Sequence, residues 1–177
     1  MKKLLIAAAL SGAVIAPVAA NAADPAPSDF KNAAKYCKAL KAASGSNFSS
    51  MFGTKKNAYG KCVSQTAKQH ANKDAKQEKT AKSNAAKECK AELGDSKKGG
   101  KNAYGRCVSE KAKANKAQAD KEEAAKAKDR INAAKSCKQA KKDDADTFAA
   151  DFGTKKNAFG KCVSKTAHEL TAARRSS

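Results

Sequence analysis

Residues 52–64 read FGTKKNAYGKCVS, and residues 152–164 read FGTKKNAFGKCVS, differing only at Tyr59 and Phe159. Lys101 to Ser109 give the core again as KNAYGRCVS. A second phrase, N-A-A-K-x-C-K, occurs at 32–38, 84–90 and 132–138. All six cysteines fall inside these phrases, one per phrase, at offsets of 25, 18 and 25 residues within three successive units. Recurrence at this spacing is the mark of an array of supersecondary units. The middle unit is shorter by about two helical turns. It lacks the F-x-x-x-F-G-T of Phe48/Phe52/Gly53/Thr54 and Phe148/Phe152/Gly153/Thr154, and has GDSKKGGKN at 94–102 instead.

Both phrases read as helix. Phe30, Ala33, Ala34, Cys37 and Leu40 recur at helical spacing, with Ser28 or Asp29 placed to cap the start. Tyr59, Cys62, Val63, Thr66 and Ala67 form a second stripe, matched by Phe159, Cys162, Val163, Thr166, Ala167 and Leu170. Gly53 suits a helix end. Asn57, Asn102 and Asn157 suit the next N-cap, with Thr54 and Thr154 as rivals. Neither Gly nor Pro occurs from Lys61 to Leu93 or from Arg106 to Phe152, and these stretches are rich in strong helix formers. The expected fold is all-α: an elongated zigzag of three α-hairpins sharing long Lys/Ala-rich helices. Lys111 to Lys128 carry only alanine as apolar content, so they could stand as solvated single helices or fray.

The expected organisation is a secretory signal peptide over 1–22, a Pro-containing linker over 23–29, and hairpins over 30–75, 76–120 and 121–172. A disordered tail over 173–177 follows. Lys2 and Lys3 precede an apolar run from Leu4 to Ala20, and Ala20-Asn21-Ala22 fits the small-x-small cleavage rule of a bacterial-type signal. No cysteine follows that run to take a lipid, and no later stretch is apolar enough to span a bilayer. An extracytoplasmic, secreted location is expected.

After residue 22 the chain has only 13 Phe, Leu, Ile and Val residues. With this charge, a share below about 20% marks a chain with too little core to fold unaided. Alanine buries little area, so covalent links must help. In an exported chain, six cysteines in paired phrases read as disulfides, and 15 pairings are possible. Pairing within units, Cys37–Cys62, Cys89–Cys107 and Cys137–Cys162, staples each hairpin near its turn. Each loop closed is worth about 3 kcal/mol. On this reading Gly60, Gly105 and Gly160, two residues before the second cysteines, admit the partner helix to disulfide reach. Tyr59, Tyr104 and Phe159 fill the hairpin core, and the loss of the hydroxyl in the third unit speaks against a hydrogen-bonding role.

Catalytic signatures are missing. The chain has no G-x-S-x-G, H-E-x-x-H or Walker loop, and no C-x-x-C. No enzyme activity, cofactor or metal site is expected. His70 and His168 stand at non-equivalent places and read as surface or stripe residues. Asp143, Asp144 and Asp146 read as a loop or helix-start feature, since the EF-hand glycine and glutamate are missing.

Charge remains as the functional signal. The chain carries 37 Lys and Arg against 17 Asp and Glu, a net +20, or +18 without Lys2 and Lys3. Lysine supplies nearly all of it, for the only arginines are Arg106, Arg130, Arg174 and Arg175. Such a field favours polyanions such as wall polymer, nucleic acid or sulfated sugar. The lysines beside the turns are the candidate contacts: Lys55, Lys56, Lys61, Lys97, Lys98, Lys101, Arg106, Lys155, Lys156 and Lys161. The alternative is a structural or spacer protein of the cell surface with no specific ligand. Stretches such as KAKANKAQADKEEAAKAK at 111–128 resemble linker-histone tails in composition, without a shared positional motif.

Overall fold

The computed structural model describes residues 32–53, 56–94 and 102–177. The expected signal peptide and linker, together with Ser28, Asp29 and Phe30, lie outside the described residues. Helix is the only regular structure among those described: α1 (Ala33–Ser44), a 3₁₀ turn (Gly45–Asn47), α2 (Phe48–Phe52), α3 (Ala58–Leu93), α4 (Ala103–Asp143), α5 (Ala145–Phe152) and α6 (Ala158–Ser176).

Three disulfides join them: Cys37–Cys62 links α1 to α3, Cys89–Cys107 links α3 to α4, and Cys137–Cys162 links α4 to α6. The Cα atoms of each pair are 6.0 Å apart. The same contacts accompany the bridges in different units. The Tyr59 hydroxyl donates to the Ala34 carbonyl at 3.0 Å, and that of Tyr104 to the Ala86 carbonyl at 3.3 Å. Thr66 Oγ1 lies 3.7 Å from Cys37 Sγ, and Thr166 Oγ1 3.8 Å from Cys137 Sγ. The rings of Phe48 and Phe52 stand 4.9 Å apart, those of Phe148 and Phe152 5.0 Å.

The helices do not string out as separate hairpins. α3 and α4 run antiparallel and are of similar length, 36 and 41 residues. The start of α3 therefore lies beside the end of α4, which brings the first and third hairpins together at one end of the molecule. There α1 packs on both α3 and α4, α6 packs on α4, and α2 touches α6. The result is a four-helix head on a two-helix stalk. The molecule spans about 40 Å from Cys62 in the head to Cys89 at the stalk tip, at 1.5 Å per residue.

This arrangement answers the shortage of large apolar residues. Tyr36, Leu40, Phe48, Ile131, Phe148, Phe159 and Val163 all enter one buried cluster with four of the cysteines. All of these come from the first and third units, so two poor hairpins make one adequate core. The stalk seam buries only small groups, Ala81 and Ala85, with Cys89 at the tip. The long middles thus do not stand alone. Lys111 pairs with Glu92 at 2.7 Å, Lys116 with Asp74 at 3.6 Å and Lys73 with Glu123 at 3.0 Å across the seam.

Several local expectations are corrected. α1 is capped by Asn32, whose Oδ1 accepts from the backbone N–H groups of Ala34 and Lys35. Asn57, Asn102 and Asn157 do precede α3, α4 and α6, yet none makes a side-chain cap bond. α4 stops at Asp143, without a glycine, because Asp144 turns extended and caps α5 through the Thr147 N–H at 2.9 Å. α6 runs through the residues expected as a disordered tail, because Arg174 and Arg175 reach Asp129 and Glu122 on α4. Gly105 has nothing within 4 Å of where a Cβ would stand, and at Gly160 only Met51 comes as near as 3.8 Å. The glycines therefore do not make room for the partner helix. Tyr59 and Tyr104 lie outside the core, 38% and 48% exposed, clasping the facing helix through their hydroxyls, whereas Phe159 is buried.

Candidate functional site: a basic crown and a basic waist

The turn lysines divide between two ends of the molecule. Lys56, Lys61, Lys155, Lys156 and Lys161 are exposed on the head, where α3 and α6 both begin. Arg106 is exposed beside Cys107 at the stalk tip, about 40 Å away. Lys55, Lys97, Lys98 and Lys101 lie outside the described residues. The head cluster is a consequence of the shared core: α2 of the first hairpin sits against α6 of the third, placing both turns side by side.

This crown is held by lysines as well as decorated with them. The Lys141 ammonium donates to Asn47 Oδ1 at 2.8 Å, tying α4 to the first hairpin's turn. The Lys138 side chain covers Gly45, and the Lys61 side chain lies over Gly53. Both glycines have positive φ, 58° and 103°, where a side chain would be strained. Asp143, Asp144, Asp146 and Asp151 stand at the same end and offset part of the charge. The Asp144 carboxyl is held below its ordinary range by hydrogen bonds from the Thr147 side chain and backbone.

A second basic region rings the waist, where the head meets the stalk. One cavity, of about 170 Å³, opens between α1, α3 and α4 beside Tyr36, His70, Lys73, Glu123, Lys126 and Arg130. A shallower one, of about 440 Å³, opens between α4 and α6 beside Lys126, Arg130, Ser164, His168, Thr171 and Arg175. Lys126 and Arg130 thus form a wall common to both. Burial pushes the Tyr36 hydroxyl up, with Arg130 acting the other way, so it stays neutral across the ordinary pH range. Glu123 accepts from Lys73 at 3.0 Å and lies 3.5 Å from His70. Glu122 is held low, first by its hydrogen bond from Arg175 and then by the charge of Lys126. Below the rim, Asp129 accepts from Thr171 at 2.9 Å and from Arg174 at 3.3 Å. No carboxylate is paired with Arg130 among the described residues.

The waist is not visible as a motif. Its residues come from points up to 139 positions apart, Tyr36 to Arg175, and they meet only because α1, α3, α4 and α6 run side by side. One signal was available. In a lysine-dominated chain, three of the four arginines, Arg130, Arg174 and Arg175, end here. So do both histidines, which sequence position alone makes look unrelated.

None of the described helices is long and apolar enough to cross a membrane. No protein-family model, curated protein or solved structure matches the chain.

Proposed function

We propose that the protein is exported and works without catalysis, holding extracytoplasmic polyanions on its exposed lysines. The observation that carries this reading is the crown: five exposed cations from two distant copies of one phrase share one end of the molecule. Exposed ammonium groups are strongly hydrated point charges on flexible stems. They suit attraction to repeated negative charge, driven by counterion release, better than stereochemical readout of a small molecule. Three disulfides and the lack of a membrane-crossing helix among the described residues are compatible with work outside the cytoplasm. The three stapled units and the signal-like start belong to the same reading.

The test is affinity for heparin, DNA and an anionic wall polymer across a salt series. Steep weakening with salt is expected, with a shallower slope for K56Q/K61Q/K155Q/K156Q/K161Q. Flat, weak binding at low salt would defeat the proposal. The stalk gives a spacer role its own support, being a long two-helix strut with little but alanine in its seam. That reading predicts no polyanion binding at all.

A further inference from the structure

The lysines of the crown are spread over an open surface, whereas the waist offers walled cavities. Its composition is unusual for this chain in three ways. It holds both histidines, it holds three of the four arginines, and it has one guanidinium that no carboxylate claims. Around the two cavities Lys73, Lys126, Arg130, Arg174 and Arg175 face Glu122, Glu123 and Asp129, a surplus of two positive charges. Lys73 is engaged by Glu123 and Arg174 by Asp129, while Arg175 and Lys126 share Glu122, Lys126 at 3.5 Å. The surplus therefore centres on Arg130, with Lys126 holding only a part of one carboxylate.

We propose that the two cavities flanking Lys126 and Arg130 hold adjacent tetrahedral oxyanions, phosphate or sulfate groups, of one linear polymer. The inference rests on the polyanion reading above and gives it a defined site. Arg130 is the anchor. Its forked donors engage two oxygens of one group at a time, and it is open to either side of the α4 edge. Lys126, one turn earlier and about 6 Å away along the axis, supplies a point charge to the neighbouring group. His70 and His168 add ring N–H donors, one in each cavity. Such donor-rich surroundings suit groups with three or more acceptor oxygens better than a carboxylate with two. A cavity on each flank of the wall matches repeated charge along a chain, which an isolated ion would not need.

The test uses the full oxidised protein with inorganic polyphosphate as the phosphate probe and heparin as the sulfate probe, at fixed moderate salt. R130Q/K126Q is compared with K79Q/K87Q, a charge-matched change at exposed stalk positions. The waist variant should lose about tenfold or more in affinity and the stalk variant far less. R130K should fall between, having kept the charge and lost the fork. A loss confined to polyphosphate or to heparin identifies which oxyanion the site accepts. Circular dichroism of each variant checks that the helices persist. If a variant unfolds, protection of Lys126 and Lys73 from amine acetylation by bound polyphosphate in the wild type provides the same decision. Equal losses in waist and stalk variants, or no protection, would overturn the site while leaving general polyanion binding intact. Failure of the wild type to bind either probe would overturn both.

Discussion

Gly105 shows how a single residue in a repeated phrase can be misread. Its place before a half-cystine suggests helix packing, but an added Cβ there meets nothing within 4 Å, and its backbone is not in the left-handed region. A glycine inside a helix is less favourable than alanine by about 0.5–1 kcal/mol. Gly105→Ala should therefore stabilise the protein by about that amount in chemical denaturation. Gly53→Ala should do the reverse, because φ there is 103°. Tyr59 and Tyr104 are the second residue-scale lesson. The natural Phe159 invites the view that the hydroxyl is dispensable, but it occupies a buried place that the two tyrosines do not. Tyr59→Phe and Tyr104→Phe should each cost about 0.5 kcal/mol, the low end for a hydrogen bond, since both are exposed.

The elements were mostly legible, and where they were not the reason is local. A 3.6-residue stripe through Cys62, Val63 and Thr66 located the hairpin arms, and Gly53 marked the helix end before the first turn, but the breaks that make α2 and α5 separate helices were not foreseen. The end of α4 was hidden because its stop is an aspartate cap inside a run free of Gly and Pro. Asp144→Ala should lower stability and loosen α5, because the Thr147 N–H loses its cap acceptor. The sign with pH follows from its depressed pKa. The cap's contribution is complete above the ordinary aspartate value of 3.8 and is lost as pH falls through the lower native value. Acid unfolding of Asp144→Ala should thus converge on that of the wild type at very low pH. The course of α6 to Ser176 was hidden too, since Asp129 is 45 positions from Arg174 and sequence spacing cannot register that partnership.

At the scale of the whole molecule, what escaped the sequence was a matter of parity. Each hairpin can be read from its own phrases. That the first and third share a core depends on α3 and α4 being antiparallel and near-equal in length. Once they are, two sets of large residues that would each be too few make one buried cluster, and the crown and waist follow from the same geometry. The head and stalk should therefore differ in stability. Leu40 is fully buried in the head, and Leu40→Ala should cost about 2–5 kcal/mol in global unfolding. Removing the tip disulfide as Cys89→Ala with Cys107→Ala should release the stalk while the head's helices persist, seen as a partial loss of helicity before the main transition.

Native-state hydrogen exchange of the oxidised protein examines that division most directly. The slowest amides should be those around Leu40 in α1, Ile131–Cys137 in α4 and Cys162–Val163 in α6, all opening together. The stalk around Lys76 and Ala112 should exchange faster, because its seam buries little but alanine. Three separate hairpins exchanging independently, or a stalk as protected as the head, would contradict the shared core.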